Sequence, residues 1–383
     1  MSYLLNMYAL VALFGMVLVL MLTRWWRPNK RWLVLAFNLL FLLVFSQKLF
    51  VFSLVYVLLN YLGYLFLVHV RSGRRWWFLA LIVGNVALVC GVRLLWMGVF
   101  EHPYFDAIYT FGLIYTVLKV IDALYLAYYV GREGGRAPLL DYVNYLLFIP
   151  TFTSGPILKF RDFLADSKKP YTVSAADFEA GVKRIILGLF KKVVLVASMT
   201  VVFKSVLEQD LTPLHSLFLM VWFYALIYFD FSGYSDIAIG FGRLMGYTIP
   251  ENFKQPFQSP TLTQYWRNWH ATLGDWFRDH IYMIFSRQLS SRWAGAGVSM
   301  LIMVLIGLWH GFSWLYLLWG VYHGALIGLE SLLNKSTVQR RKVSAAYFWF
   351  RCAVTQLIVL LAIVVYSGNT ETVLRIYKGL LGL

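Results

Sequence analysis

Charge is scarce in this chain, and acidic charge is scarcest. Of 383 residues, 14% are Asp, Glu, Lys or Arg, and the 18 acidic residues face 34 basic ones. Soluble domains carry about 25% charged and about 45–50% apolar residues. This chain is 60% hydrophobic, with a mean hydropathy of +0.67, which excludes a water-soluble globule. No polar stretch is long enough to form a separate soluble domain, so residues 1–383 read as one membrane domain. Cysteine is almost missing. Cys90 and Cys352 both sit in apolar runs, which excludes a disulfide framework and a cysteine-based metal spacing. His-Glu-x-x-His and Gly-x-Ser-x-Gly are also absent, so the zinc-protease and serine-hydrolase signatures are lacking; histidines converging from separate segments remain as a metal alternative. The net charge of +16 can signal nucleic acid. Here the basic residues punctuate apolar runs, which suits membrane orientation and anionic lipid headgroups, and nucleic acid is not an expected partner.

What is present is a succession of apolar runs, each near the roughly 20 residues a spanning helix needs. Residues 3–23 form the first. Neither a basic start nor a small-residue cleavage site flanks it, so it is expected to be a span rather than a cleaved signal. Arg24, Arg27, Lys30 and Arg31 follow, which places their loop in the cytoplasm. From 32 to 70 the only full charge is Lys48, and the stretch reads as a helical hairpin turning near it. Arg71, Arg74 and Arg75 return to the cytoplasmic side. Spans near 76–100 and 104–130 then lead to Arg132 and Arg136, with Arg93 able to snorkel. Lys119 and Asp122, three apart in the second of these, are expected to pair on one helix face.

The pattern then changes. "FIPTFTSGPILKFRDFLADSKKP", 148–170, is interrupted by Pro150, Gly155 and Pro156. It is either a loop at a helix end or a cavity lining. Ser174 with Asp177 is a helix N-cap pattern, and Lys183, Arg184, Lys191 and Lys192 suggest a helix lying in or entering the interface. Residues 251–285 are amphipathic, rich in Trp and too polar to span; a re-entrant or interfacial arrangement fits. A span from 298 to 319 has no Asp, Glu, Lys or Arg but carries His310 near its middle. Basic residues Lys335, Arg340, Arg341 and Lys342 precede a final span at 347–367.

Seven histidines are present: His69, His102, His215, His270, His280, His310 and His323. An ionisable group deep in a span is costly and points to function, and a neutral imidazole is a ready general base. His310 is therefore the leading candidate. His270 follows, with Trp266 one turn before it and Gly274 and Arg278 continuing its helical face. His280 and His323 rank lower; on one continuous helix, His310 and His323 would lie on nearly opposite faces.

Three ordered blocks, "YFDFSGYSDIAIGFGRLMGYTIPENFKQPF", "YWRNWHATLGDWFRDHIYM" and "GLWHG" followed by "WGVYHG", resemble the membrane-bound O-acyltransferase (MBOAT) family over roughly 148–330. "TSGPILKFRDF" looks most like its DltB-like, teichoic acid D-alanylation branch, whereas the Phe-Ser-Gly-Tyr-Ser-Asp wording and "ENFKQPF" look more like the AlgI-like, alginate O-acetylation branch. The resemblance implies an all-α, polytopic membrane fold: N-terminal spans over 1–147, a catalytic core around a transmembrane tunnel over 148–330, and a C-terminal span and tail over 331–383. By the same resemblance His310 matches the hallmark catalytic histidine and His270 the second active-site position. His310 is assigned as base and His270 as positioning group or oxyanion donor. Trp266, Trp269 and Trp309 are expected to orient neighbours or line the tunnel, and Asp236 and Asn268 to orient a histidine. No tightly bound cofactor or metal is implied. The donor would be a phosphopantetheine thioester on an acidic cytoplasmic acyl carrier protein, or derive from acetyl-coenzyme A. The expected product is a D-alanyl ester on an envelope polymer such as teichoic acid, with O-acetylation of an exported polysaccharide as the alternative. An extracytoplasmic acyl-transfer partner and a bacterial cytoplasmic membrane location complete the expectation. The rival from another class is a proton-coupled transporter or flippase using His310 with Lys119 and Asp122.

Overall fold

The computed structural model describes residues 7–24, 29–95, 112–131, 136–286 and 291–383; Arg27, His102 and Arg132 lie outside them. The described residues are helical, with a single isolated antiparallel bridge between Phe253 and Trp269. Seven helices are long and apolar enough to cross a membrane: Gln47–His69, Arg74–Leu94, Leu113–Val130, Ala175–Leu207, Pro213–Leu244, Arg292–His310 and Ala345–Ser367. The chain is a multi-pass, all-α membrane protein.

The described parts of the first two helices are short, and two expectations about the spans change. Met7–Thr23 and Lys30–Phe45 have 17 and 16 residues. At 1.5 Å per residue, each described stretch covers about 25 Å, and residues 1–6 and 25–28 beside them lie outside the described residues. The segment starting at Ala175 continues through a wide π turn to Leu207 and is long enough to cross, not merely to lie at the surface. The run 298–319 is two helices, as described below. Other readings agree with the structure. The hairpin break falls at Ser46, two residues before Lys48; its extended backbone ends one helix and its hydroxyl caps the next at Leu49. Ser174 and Asp177 form the expected reciprocal cap.

The residues fall into two compact units, Met1–Gly188 with Tyr234–Pro250, and Leu189–Gly233 with Glu251–Leu383. The first unit is built around buried aromatic rings, including Tyr64, Tyr142, Tyr145 and Phe160. Several of its buried charges find partners within the unit, as a membrane interior favours. Arg31 reaches the buried Asp141 at 2.9 Å, and Lys30 donates to the Gly246 carbonyl at 2.8 Å. The interrupted stretch after Leu146 is packed inside this unit: Phe148 and Ile149 are fully buried, and Gly155, at φ +96°, sits against Tyr234 where a Cβ would collide. Lys119 and Asp122 do not pair. Lys119 Nζ donates to the Tyr145 carbonyl and Thr151 Oγ1, and Asp122 accepts from the Phe160 N–H at 2.6 Å. The broken backbone supplies polar partners that an intact helix would keep for itself, so each charge is held by it separately.

The second unit holds the paired helices Arg292–His310 and Trp314–Leu332, the helix Ala345–Ile363, an amphipathic C-terminal helix Thr370–Leu381, and the short helices between 251 and 286. In the same unit Lys192 donates to Asp230, which offsets two charges in apolar surroundings.

Candidate active site

The site begins with a break in the apolar run. The first helix ends at His310 with Gly311 in extended conformation, and Ser313 caps the next through Leu315 N–H. The chain therefore turns back immediately after His310, which occupies the last turn of a helix and not the middle of a span. Small residues let the two helices approach closely. A Cβ on Gly307 would strike the Tyr316 carbonyl, and one on Gly320 would lie 2.6 Å from the Met303 carbonyl. This hairpin also corrects the expectation for His323: doubling back brings His310 and His323 to the wall of one cavity of about 340 Å³.

His270 enters from the other side. The expected continuous helical face breaks at this residue, between Leu262–Asn268 and Ala271–Phe277. Its backbone lies in the left-handed region, φ 46° and ψ 47°, which costs a non-glycine residue about 1–3 kcal/mol. The strand-like segment around Asn252 holds it there. Lys254 N–H donates to the Asn268 carbonyl and Ala271 N–H to the Asn252 carbonyl, both at 2.9 Å. The Asn252 side chain also fixes the ring. Its Oδ1 lies 3.0 Å from His270 Nδ1 and accepts from Thr272 Oγ1 at 2.8 Å and Thr272 N–H at 3.4 Å. An amide oxygen only accepts, so Nδ1 carries the proton and Nε2 the lone pair. That Nε2 is buried without a hydrogen bond. Burial first, and then the nearby His310, hold the His270 pKa well below the usual imidazole range. Phe231 meets the ring edge-on at 4.5 Å.

On the hairpin side, the Tyr366 hydroxyl lies 3.1 Å from His310 Nδ1. Trp309 stands between the two histidines, 4.7 Å from His310 and 6.0 Å from His270 between ring centres. Trp266 and Trp269 line the cavity with both histidines, and Trp269 stacks on Tyr265. The remaining two candidates have other partners. Asn268 donates to Ser259 at 3.0 Å. Asp236 belongs to the first unit, where Arg184 donates to it at 2.6 Å. His69, His215 and His280 each bond a carbonyl near them in sequence. Among the described residues, no cluster of three His, Cys, Asp or Glu is placed to hold a metal.

Sequence reasoning missed two residues here and ranked a third low. Asn252 sits in a quoted block, but only the bend at His270 brings it to the ring. Tyr366 comes from the final span with no spacing signal. His323 ranked below the other histidines, and the opposite-face argument held only for one continuous helix. Along the hairpin the cavity runs from His310 past Ser299 and from Trp319 to Ser331, about 17 Å at helical rise. Arg278, also in its lining, is held by Asp275 at 2.6 Å and by Asp279 at 3.1 Å.

Such an arrangement, two ring-fixed imidazoles on a long cavity inside a multi-pass helical protein, agrees with the comparison to known families. The chain matches the membrane-bound O-acyltransferase family over residues 131–365 and belongs to that family. It is 30% identical over 312 residues to a Pseudomonas fluorescens protein named "Probable alginate O-acetylase AlgI", covering 81% of this chain and 61% of that one. It is 30% identical over 251 residues to the teichoic acid D-alanyltransferase of Bacillus subtilis, covering 61% of this chain and 62% of that one. With the peptidoglycan O-acetyltransferase of Helicobacter pylori it shares 28% over 253 residues, 64% of this chain and 47% of that one. The chain thus spans about half to two thirds of the length of the curated relatives it matches.

Proposed function

We propose that this protein moves a short acyl group from a thioester donor to a hydroxyl of a cell-envelope polymer. The observation that carries the reading is that His270 and His310 line one cavity, each with a hydrogen-bond partner at Nδ1. The acceptor oxygen attacks the thioester carbonyl carbon, and its proton passes to His310 Nε2. In this assignment the Tyr366 hydroxyl oxygen accepts from His310 Nδ1–H, leaving the lone pair on Nε2. The carbon–sulfur bond then breaks, and the leaving sulfur takes the proton back and departs as a thiol. His270 keeps a positioning role only. With Nδ1–H committed to Asn252, its Nε2 accepts a hydrogen bond and does not donate one to an oxyanion. Dry aromatic walls protect the thioester from water.

The donor is assigned to the cytoplasmic side. The cavity lining includes Ser331 and Ser336, beside the basic residues Lys335, Arg340, Arg341 and Lys342, which the positive-inside rule places in the cytoplasm. That basic surface suits an acidic acyl carrier protein or coenzyme A, and a cavity of about 17 Å along the hairpin suits an extended phosphopantetheine arm. The acceptor hydroxyl, and any extracytoplasmic partner, would meet the His310 end of the cavity, with the protein in a bacterial cytoplasmic membrane.

For the acyl group, acetyl is favoured over D-alanyl. The ammonium of a D-alanyl group calls for an acidic neighbour, and Asp275, the acid in the described lining, is engaged by Arg278 and Lys254. The alginate O-acetylase relatives also match more of this chain than the D-alanyltransferases do. The test is mass-resolved loss of acyl group from acetyl-coenzyme A, acetyl-loaded carrier protein and D-alanyl-loaded carrier protein, using wild type and His310→Ala. Wild type should deacylate an acetyl donor and the variant none. Deacylation of the D-alanyl donor alone would reverse the acyl assignment, and equal behaviour of the two proteins would remove His310 as base and favour a transporter.

A further inference from the structure

We propose that Trp266 and His323 together read a secondary amide in the arm of the acyl donor, one helical turn from the reacting carbonyl. The proposal rests on the thioester-donor reading above. Both side chains line the cavity, and their rings meet at 5.0 Å and 74°. His323 is 1% exposed, and neither His323 Nδ1 nor Trp266 Nε1 has a hydrogen-bond partner, although both atoms are buried. Buried polar groups are nearly always satisfied, and exceptions call for an explanation. Here two unsatisfied atoms belong to rings in contact, on residues that line one cavity.

Their chemistry is complementary. Indole Nε1–H only donates, whereas a neutral imidazole offers one accepting nitrogen. Such a pair matches the two faces of a secondary amide: Trp266 donates to its carbonyl, and His323 accepts from its N–H. Their position along the cavity fits as well. Trp319 packs against His310 at 6.0 Å and against His323 at 4.8 Å. His323 lies four residues further along the helix, a rise of about 6 Å. A pantetheine-type thioester has a similar spacing, with two methylenes between its sulfur and its first amide. Coenzyme A and a carrier protein share this amide, so the station serves either source. It would reject a thioester that lacks the N–H, because His323 would then stay unsatisfied.

The experiment compares two small acetyl thioesters with purified protein, with glycerol as the hydroxyl acceptor and thiol release as the readout. S-acetyl-N-acetylcysteamine carries the amide. The S-acetyl derivative of 2-mercaptoethyl acetate replaces its N–H by oxygen. Wild type should favour the amide by at least about tenfold in kcat/KM, mostly through KM. His323→Phe should turn over both esters equally, and His323→Asn, which keeps an acceptor near the Nδ1 position, should restore part of the preference. Acetyl-coenzyme A and acetyl-loaded carrier protein, run alongside, identify the natural source by their kcat/KM with wild type, and both should weaken in His323→Phe. A wild type indifferent to the amide would overturn the proposal, as would a preference that survives in His323→Phe. If His323→Phe does not fold, the wild-type ratio and His323→Asn decide between the same outcomes. Failure of wild type to release thiol from any of the four donors would overturn the thioester reading itself, and this proposal with it.

Discussion

Replacing Asn252 by Asp tests whether the lone pair on His270 Nε2 matters. The substitution keeps shape and keeps the acceptor for Thr272, but puts a negative charge where a neutral oxygen now faces His270 Nδ1 at 3.0 Å. With an effective dielectric of about 20, that separation gives an attraction of about 5 kcal/mol for the imidazolium. Burial of the new carboxylate takes back much of it, and opposite charges this close typically move a pKa by about 1–3 pH units. In the wild type, burial and His310 hold the His270 pKa well below its usual value, so Nε2 stays an acceptor through neutral pH. In Asn252→Asp the imidazolium is favoured, and Nε2 is blocked below the raised pKa. The acidic limb of kcat/KM should therefore move upward by about 1–3 pH units. Stability responds as well. For the wild type, the contribution of a neutral buried His270 is complete above an unfolded pKa of about 6.5 and is lost as pH falls below it. In the variant the raised folded pKa lies nearer the unfolded value, so less stability is lost as pH falls below about 6.5. Thiol release from pH 5 to 9 and thermal unfolding at both ends of that range read the two effects. Identical acidic limbs in wild type and variant would refute an accepting role for His270.

Three other perturbations follow from the same geometry. His310→Ala should lower thiol release by about 10²–10⁴-fold without altering the unfolding midpoint greatly, measured on detergent-purified protein. Tyr366→Phe removes the hydroxyl 3.1 Å from His310 Nδ1 and should cost about fivefold in kcat, the worth of a neutral hydrogen bond, with KM little changed. Gly320→Ala drives a methyl toward the Met303 carbonyl; overpacking of this kind costs about 1–3 kcal/mol and should show as a lower midpoint together with lower activity, because the hairpin forms the cavity wall.

Much of the architecture is legible in sequence because membrane insertion constrains it so strongly. Basic residues punctuate the apolar runs, and the caps at Ser46 and Ser174 use side chains that sit next to the groups they satisfy. His270 and His310, which line one cavity, each lie in a distinctive Trp-rich block and stand out for the same local reason. What surrounds them does not. Asn252 reaches His270 through a left-handed residue that breaks the helical period, and no periodicity argument anticipates an imidazole in that conformation. Asp236 and Asn268 look equally suitable in sequence, yet Arg184 and Ser259 engage them.

The hairpin after His310 matters most, because an apolar run long enough for one span was divided by three residues. Hydropathy does not register such a turn: Gly311 and Phe312 are as apolar as a span requires, and Ser313 alone signals the new helix. The division has a chemical consequence. A single helix would present His310 and His323 to nearly opposite sides, and a cavity wall could use only one of them. Folding the run back lets two antiparallel helices share one wall, with His310 at its turn and His323 and Ser331 along its length. In the proposed reaction, the thioester carbonyl and the arm that carries it would then be read by the same pair of helices. Substitutions at the turn, such as Ser313→Ala, should therefore disturb donor selection as well as catalysis. The measurement is the ratio of amide to ester thioester turnover in Ser313→Ala; a variant that loses rate but keeps the wild-type ratio would show that the two functions are not joined through the hairpin.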